Sequence, residues 1–161
     1  MKLRDHLIIG GVAMAVLSPY WGLWRALLFW GAEVLIDADH YWDYLWRSRF
    51  KDWSGWRMFR YYDLTLKRLH DKNYLAFSLL HTAEVFTAVY LLAQYWNHAF
   101  FITIFWGMLF HLFLDMLWLA HKKRFFVRAY SIVEYFIRKR LLIRRGLNPD
   151  GFYKEIFGQS K

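Results

Sequence analysis

Tyr74–Ala120 reads YLAFSLLHTAEVFTAVYLLAQYWNHAFFITIFWGMLFHLFLDMLWLA, and among Asp, Glu, Lys and Arg it contains only Glu84 and Asp115. A helix needs about 20 apolar residues to cross roughly 30 Å of hydrocarbon. Tyr74–Trp96 and Phe100–Ala120 each meet that length, and Asn97 and His98 are left for a tight turn. The run therefore predicts a membrane-spanning helical hairpin. Leu7–Ile36 is a second apolar stretch, charged only at Arg25 and Glu33. As one helix it would reach about 45 Å. Ser18–Pro19 followed by Gly22 is a helix-stop signal. The expected reading is a short helix over Leu7–Leu17 with a return over Trp21–Asp37; one kinked span is the alternative. The expected fold class is all-α, a polytopic membrane bundle of about four transmembrane helices in two hairpins, with amphipathic helices at the interface.

Composition narrows the classes. The chain has 161 residues, 22 Lys plus Arg against 13 Asp plus Glu, 58% hydrophobic residues and 22% aromatics. Intrinsic disorder is excluded by that apolar load. With no cysteine, a disulfide scaffold, a Cys-ligated zinc finger and a thiol nucleophile are excluded as well. A basic, apolar chain is either a nucleic-acid binder or a membrane protein with basic cytoplasmic faces. Of the 22 Lys and Arg residues, 21 lie outside the two apolar stretches, Arg25 being the exception. This is the positive-inside pattern and places both termini on the cytoplasmic side. The expected partners are the lipid bilayer and its anionic headgroups, not nucleic acid.

The segment 41–73 is rich in Trp, Tyr and Arg and is expected to lie in the headgroup layer. Phe125–Leu142 alternates apolar and basic residues and is expected to form a surface helix on anionic lipid. Gly146–Lys161 is expected to be a frayed tail. The predicted organisation is a membrane-embedded metal-binding domain over 1–120, including 41–73, and a basic cytoplasmic helix and tail over 121–161. Lys2, Arg4 and the apolar residues after them imitate a signal peptide, but the short apolar run before Ala13-Met14-Ala15 favours a retained helix.

The polar residues within the apolar stretches carry the chemistry. A carboxylate at membrane depth costs several kcal/mol unless it is paired or ligates a metal. Asp37 and His40 are three residues apart, as are His81 and Glu84; His111 and Asp115 are four apart, and His6 opens the first helix. On continuous helices each pair shares a face. Measured by helical rise, all four groups fall in the same half of the bilayer. His6, Asp37, Asp39, His40, His81, Glu84, His111 and Asp115 are thus the candidate metal ligands, an oxygen and imidazole set suited to zinc, manganese or iron. They suffice for two or more divalent ions with positions open to water. Glu33, one turn before Asp37, is expected to orient Asp37 or His40 from behind, or to pair with Arg25. Buried salt bridges and satisfied core histidines are the bland alternative. His70, His98 and His121 lie near helix ends and are read as interfacial.

Val34-Leu35-Ile36-Asp37-Ala38-Asp39-His40 resembles the Pro-Asp-x-Asp-His signature of the membrane-bound metal-dependent hydrolases known as the LexA-binding, inner-membrane-associated hydrolase family. His6, His81 and the His111-x-x-x-Asp115 pair are similar to that family's other marks, and the resemblance covers residues 1–120. Ile36 stands where the family has Pro, and His81-Thr82-Ala83-Glu84 replaces its His-Arg-Gly-x-Thr-His-Ser block. The resemblance implies an integral inner-membrane hydrolase. The helical His/Asp pairs are also similar to those of the zinc-dependent phospholipase C and P1 nuclease group, which implies phosphoester hydrolysis at a multi-zinc centre. The expected function is hydrolysis of a lipid-linked phosphoester by metal-activated water at the cytoplasmic side, with Asp39 or Glu84 as general base. A non-catalytic module held together by metal, or an ion or proton conduit, are the alternatives. No Gly-rich phosphate loop or His-Glu-x-x-His motif is present.

Overall fold

The computed structural model describes residues 1–160, and among these the regular structure is helical. The chain divides into two compact units interleaved in sequence: Met1–Ala38 with Leu79–Phe125, and Asp39–Ser78 with the residues from Phe126 onward. The division expected at residue 120 therefore gives way to one in which the 39–78 segment joins the C-terminal part.

The first unit contains α1 (Leu3–Trp21), α2 (Leu23–Leu35), α5 (Ala83–Tyr95) and α6 (His98–His121), with α3 and α4 in the intervening second unit. α1 and α2 form a hairpin, which removes the kinked-span alternative. The turn is Gly22, whose φ of +79° is left-handed territory that glycine enters without a Cβ penalty. The expected stop at Leu17 does not occur, because α1 runs through Pro19 to Trp21. Proline at 19 supplies no N–H to the Ala15 carbonyl, and the Ser18 hydroxyl donates to that oxygen instead, at 3.0 Å.

The second hairpin is shorter than expected. α6 matches the sequence reading, and the Asn97 side chain caps it by accepting from the Phe100 N–H. α5 begins at Ala83 and not Tyr74. The residues before it are diverted into backbone pairing: the Ala76 N–H donates to Val127 and the Ala76 carbonyl accepts from Ala129, both at 2.9 Å. At 13 residues each, α2 and α5 reach about 20 Å. α6 is the one described helix long and apolar enough to cross a membrane.

Beside an apolar core of Ile36, Phe86 and Met108, this unit buries polar groups and exposes apolar ones. His6, Glu33, His81, Thr103, His111 and Asp115 are buried, whereas Ile8, Val12, Val16, Trp24, Phe113 and Leu117 are exposed. α2 packs against both α1 and α6, and α5 packs against α6, so α2 lies between the two helices that carry His6 and His111.

The second unit contains α3 (Ala38–Arg47), α4 (Gly55–Lys67), α7 (Ile132–Arg144) and α8 (Pro149–Ser160). Its core is mostly aromatic: Tyr44, Tyr61, Phe152 and Tyr153, with Ile156 among them. The tail expected to fray is the helix α8, which packs on α4. Asn148 caps it by accepting from the Gly151 N–H at 2.8 Å, and Pro149 occupies the first helical position, where its missing N–H costs nothing. Pro149, Phe152, Tyr153, Ile156 and Ser160 are its buried residues and form one helical stripe. Arg47 lies 3.6 Å over the Tyr153 ring and pairs with Asp43 at 2.8 Å. The 41–73 segment is only half interfacial in character. Trp42, Trp46, Trp53 and Trp56 are exposed, but Tyr44, Leu45, Tyr61 and Thr65 are core. α7 agrees with the expected surface helix: it has no buried residue and exposes Val133, Phe136, Ile137 and Leu141.

Candidate metal centre

Glu33 organises the polar interior of the first unit. Its carboxylate Oε1 lies 2.7 Å from His6 Nδ1, and its backbone carbonyl lies 2.7 Å from His111 Nδ1. A carbonyl oxygen can only accept, so His111 Nδ1 carries the proton, and the neutral ring presents its lone pair at Nε2. His6 is held in the same sense when its Nδ1–H donates to the Glu33 carboxylate. Tying one ring nitrogen to a carboxylate or carbonyl so that the other faces a cation is the usual support of a metal-binding histidine. The expected partners of Glu33 were Asp37, His40 or Arg25. Its contacts are with His6 and His111, residues 27 and 78 positions away.

Two glycines make this geometry accessible. Gly10 lies one turn beyond His6 on α1, and a Cβ there would strike the Glu33 carboxylate and Trp30. Gly107 lies one turn before His111 on α6, and a Cβ there would strike the Phe29 carbonyl and Ala32. Both flanking helices are therefore tightly packed on α2 one turn from their histidines.

The other ring nitrogens converge on carboxylates. His6 Nε2 is 3.4 Å from Asp115 Oδ1, and His111 Nε2 is 3.3 Å from Asp37 Oδ1 and 3.8 Å from Asp115 Oδ2. His81 Nε2 is 3.6 Å from Asp37 Oδ1. The His6 and His111 rings stack at 3.8 Å with 10° between planes, and His81 meets His111 edge-on at 5.0 Å. Asp115 also accepts from the Met1 amino nitrogen. Within the first unit two groups result, His6–His111–Asp115 and Asp37–His81–His111, each with its ligand atoms within 4.8 Å of one another. His111 belongs to both.

These side chains fit a metal ion. His6 Nε2, His111 Nε2 and Glu33 Oε2 are buried and have no hydrogen-bond partner among the described residues. The nitrogen–carboxylate separations exceed the ordinary hydrogen-bond range of about 2.7–3.2 Å. They match instead the edges of a coordination tetrahedron, since ligands at about 2.0–2.1 Å from an ion sit about 3.3 Å apart. Side-chain exposure is 0% for His6, His81 and His111, 3% for Asp115 and 13% for Asp37. Asp37 therefore marks the open side.

The expected His81–Glu84 face does not form, because His81 sits on a 3-10 turn (Leu79–His81) that ends before α5 starts. Glu84 is exposed in the first turn of α5 and belongs to neither group. Asp37 sits in the turn between α2 and α3, not on a continuous helix, and faces His81 and His111. Asp39 and His40 are in the second unit, with His40 Nδ1 3.3 Å from Asp39 Oδ1 and 3.4 Å from Ser78 Oγ, and the ring 4.6 Å from that of Tyr62.

Comparison with known protein families, with characterised proteins and with solved structures gives no match to this chain.

Proposed function

We propose that the first unit is a membrane-embedded, metal-dependent hydrolase that cleaves a lipid-linked phosphoester at the cytoplasmic side of the inner membrane. The observation that carries this reading is the shared His111: two three-residue ligand groups meet at an imidazole whose proton is pinned by the Glu33 carbonyl. His6, Asp37, His81, His111 and Asp115 hold the cation, zinc first and manganese or iron as alternatives. His111 Nε2 has one lone pair and would serve one ion at a time, with Asp37 and His81 on one side of it and His6 and Asp115 on the other. When bound, the cation supplies an acidified water and counter-charge for phosphoryl oxygens. Asp37, at the open edge, receives the proton of the attacking water. Glu33 keeps His6 and His111 aimed inward, and the buried helical walls exclude bulk water.

The membrane setting is supported by the exposed Ile, Val, Trp and Phe of this unit, which suit hydrocarbon surroundings, and by the buried His, Asp and Glu within it. α6 is long enough to span by itself, and α1, α2 and α5 complete the two hairpins beside it, which returns both termini to the cytoplasmic side. A purely structural ion is the second reading, favoured by the complete burial of His6 and His111. The exposure of Asp37 favours catalysis.

The test is elemental analysis of the detergent-purified protein, alongside His111→Ala and Asp37→Ala, followed by a screen of lipid phosphoesters. The expected result is stoichiometric transition metal and hydrolysis in the wild type, both lost in the two variants with helical content retained. A wild type free of metal after zinc and manganese supplementation refutes the proposal. Metal without hydrolysis leaves the structural reading.

A further inference from the structure

A groove of about 700 Å³ opens between α2, α5 and α6 of the first unit. Along α2 it is lined by Trp24, Leu28, Gly31 and Leu35, positions three to four residues apart that form one helical face, and by Ile36 just beyond them. From residue 24 to residue 36 the lining runs about 18 Å at 1.5 Å per residue. One leaflet of a bilayer has a hydrocarbon depth of about 15 Å, half of the roughly 30 Å core. The groove is thus as long as one lipid chain. Its opposite wall, which includes Val89 and Ile104, is equally apolar and bears no charged residue.

Two residues of the groove lining are the chain neighbours of the polar cluster. Ile36 and Leu80 line the groove, and the residues that follow them in the chain are Asp37 and His81, two of the three members of one ligand group. Asp37 is also the most exposed of the ligands. A molecule that presents an anionic head to that cluster and continues into this groove must be an amphiphile with a hydrocarbon tail. We infer that the α2–α5–α6 groove seats a single hydrocarbon chain of the substrate, with its phosphate head at Asp37, so that the substrate class is a long-chain phosphoester taken laterally from the bilayer. The head assignment rests on the proposed hydrolase reading; the seat of the tail can be measured without turnover.

Gly31 provides the blocking variant. A Cβ added there meets nothing within 4 Å, and Gly31 itself lines the groove, so a tryptophan at this position starts from open space beside the proposed seat. The full chain is reconstituted in phosphatidylcholine vesicles with hexadecyl phosphate bearing a mid-chain diazirine, irradiated, and the adducts mapped by peptide mass spectrometry. The expected adducts fall on Leu28, Val89 and Ile104. Unlabelled hexadecyl phosphate competes with them and hexadecanol does not. Gly31→Trp lowers their yield by about tenfold, the equivalent of about 1.4 kcal/mol, while its metal content stays at the wild-type level.

Adducts spread evenly over the outward residues Ile8, Val12 and Phe113, or a yield unchanged in Gly31→Trp, overturn the inference. Equal competition by hexadecanol overturns the head assignment and leaves a seat for bulk lipid. A cross-linked dimer through this face that Gly31→Trp abolishes overturns it in favour of a second copy. A metal-free protein that still shows the expected adducts keeps the chain-binding groove and sinks only the hydrolase reading, which separates the two failures.

Discussion

Replacing Gly107 with alanine tests whether helix proximity builds the centre. The added Cβ would overlap the Phe29 carbonyl and touch Ala32 on α2. Neither is the end of a flexible side chain, so α6 and α2 must separate by roughly 1 Å to restore ordinary contact distances. The 2.7 Å bond from His111 Nδ1 to the Glu33 carbonyl is then stretched beyond the limit of about 3.2 Å. Overpacking costs about 1–3 kcal/mol, and the glycine-to-alanine gain in helix propensity returns about 1 kcal/mol. Net stability should therefore fall by no more than about 2 kcal/mol. Losing the orienting bond should weaken metal binding by about 10–100-fold. The assay is zinc affinity by chelator competition on wild type, Gly107→Ala and a Gly31→Ala control, whose added Cβ meets nothing within 4 Å. The control should bind zinc as the wild type does. Equal affinity in wild type and Gly107→Ala, or equal loss in the two alanine variants, refutes the proximity argument.

Glu33→Gln keeps an acceptor for His6 but removes the charge beside it, and chelator competition should show zinc affinity reduced about 10-fold or more. Glu84→Gln, altering an exposed residue outside both ligand groups, should leave metal content unchanged; loss of metal there would reinstate the sequence-based expectation. Ile156→Ala empties a fully buried position in the aromatic core of the second unit and should destabilise that unit by about 2–5 kcal/mol in denaturant titration, without altering metal content. Asp52 is held below the usual carboxylate range by the Arg57 guanidinium at 2.9 Å and the Ser54 N–H at 3.0 Å. Because its folded pKa is lowered, its stabilising contribution is present above the ordinary carboxylate pKa and is lost as pH falls through the lowered value. Thermal melts should show Asp52→Asn less stable than wild type at neutral pH and equal to it in strong acid; a gap that persists in acid would exclude the charge as its cause.

α6 was legible almost residue for residue, because an unbroken apolar run longer than about 20 residues leaves a helix few alternatives. α8 was legible in principle: its buried positions 149, 152, 153, 156 and 160 follow the helical period, although the charges between them suggest a solvated tail. The start of α5 could not be read locally. Tyr74–Ser78 has the composition of the helix that follows it, and it is extended because Ala76 finds backbone partners at Val127 and Ala129, some fifty residues later in the chain.

The amino-acid sequence alone determined that the chain is helical, where its long apolar helix lies, and that His6, Asp37, His81, His111 and Asp115 are costly polar groups in apolar surroundings. Apolar runs and the residues interrupting them are local properties. Tertiary structure alone decided that Glu33 steadies His6 and His111 and that Glu84 stands apart, and it revealed that Gly10 and Gly107 admit the close helix contacts. Those roles depend on which faces of α1, α2 and α6 meet, and at what separation, and periodicity within one helix carries no information about the register of its neighbour.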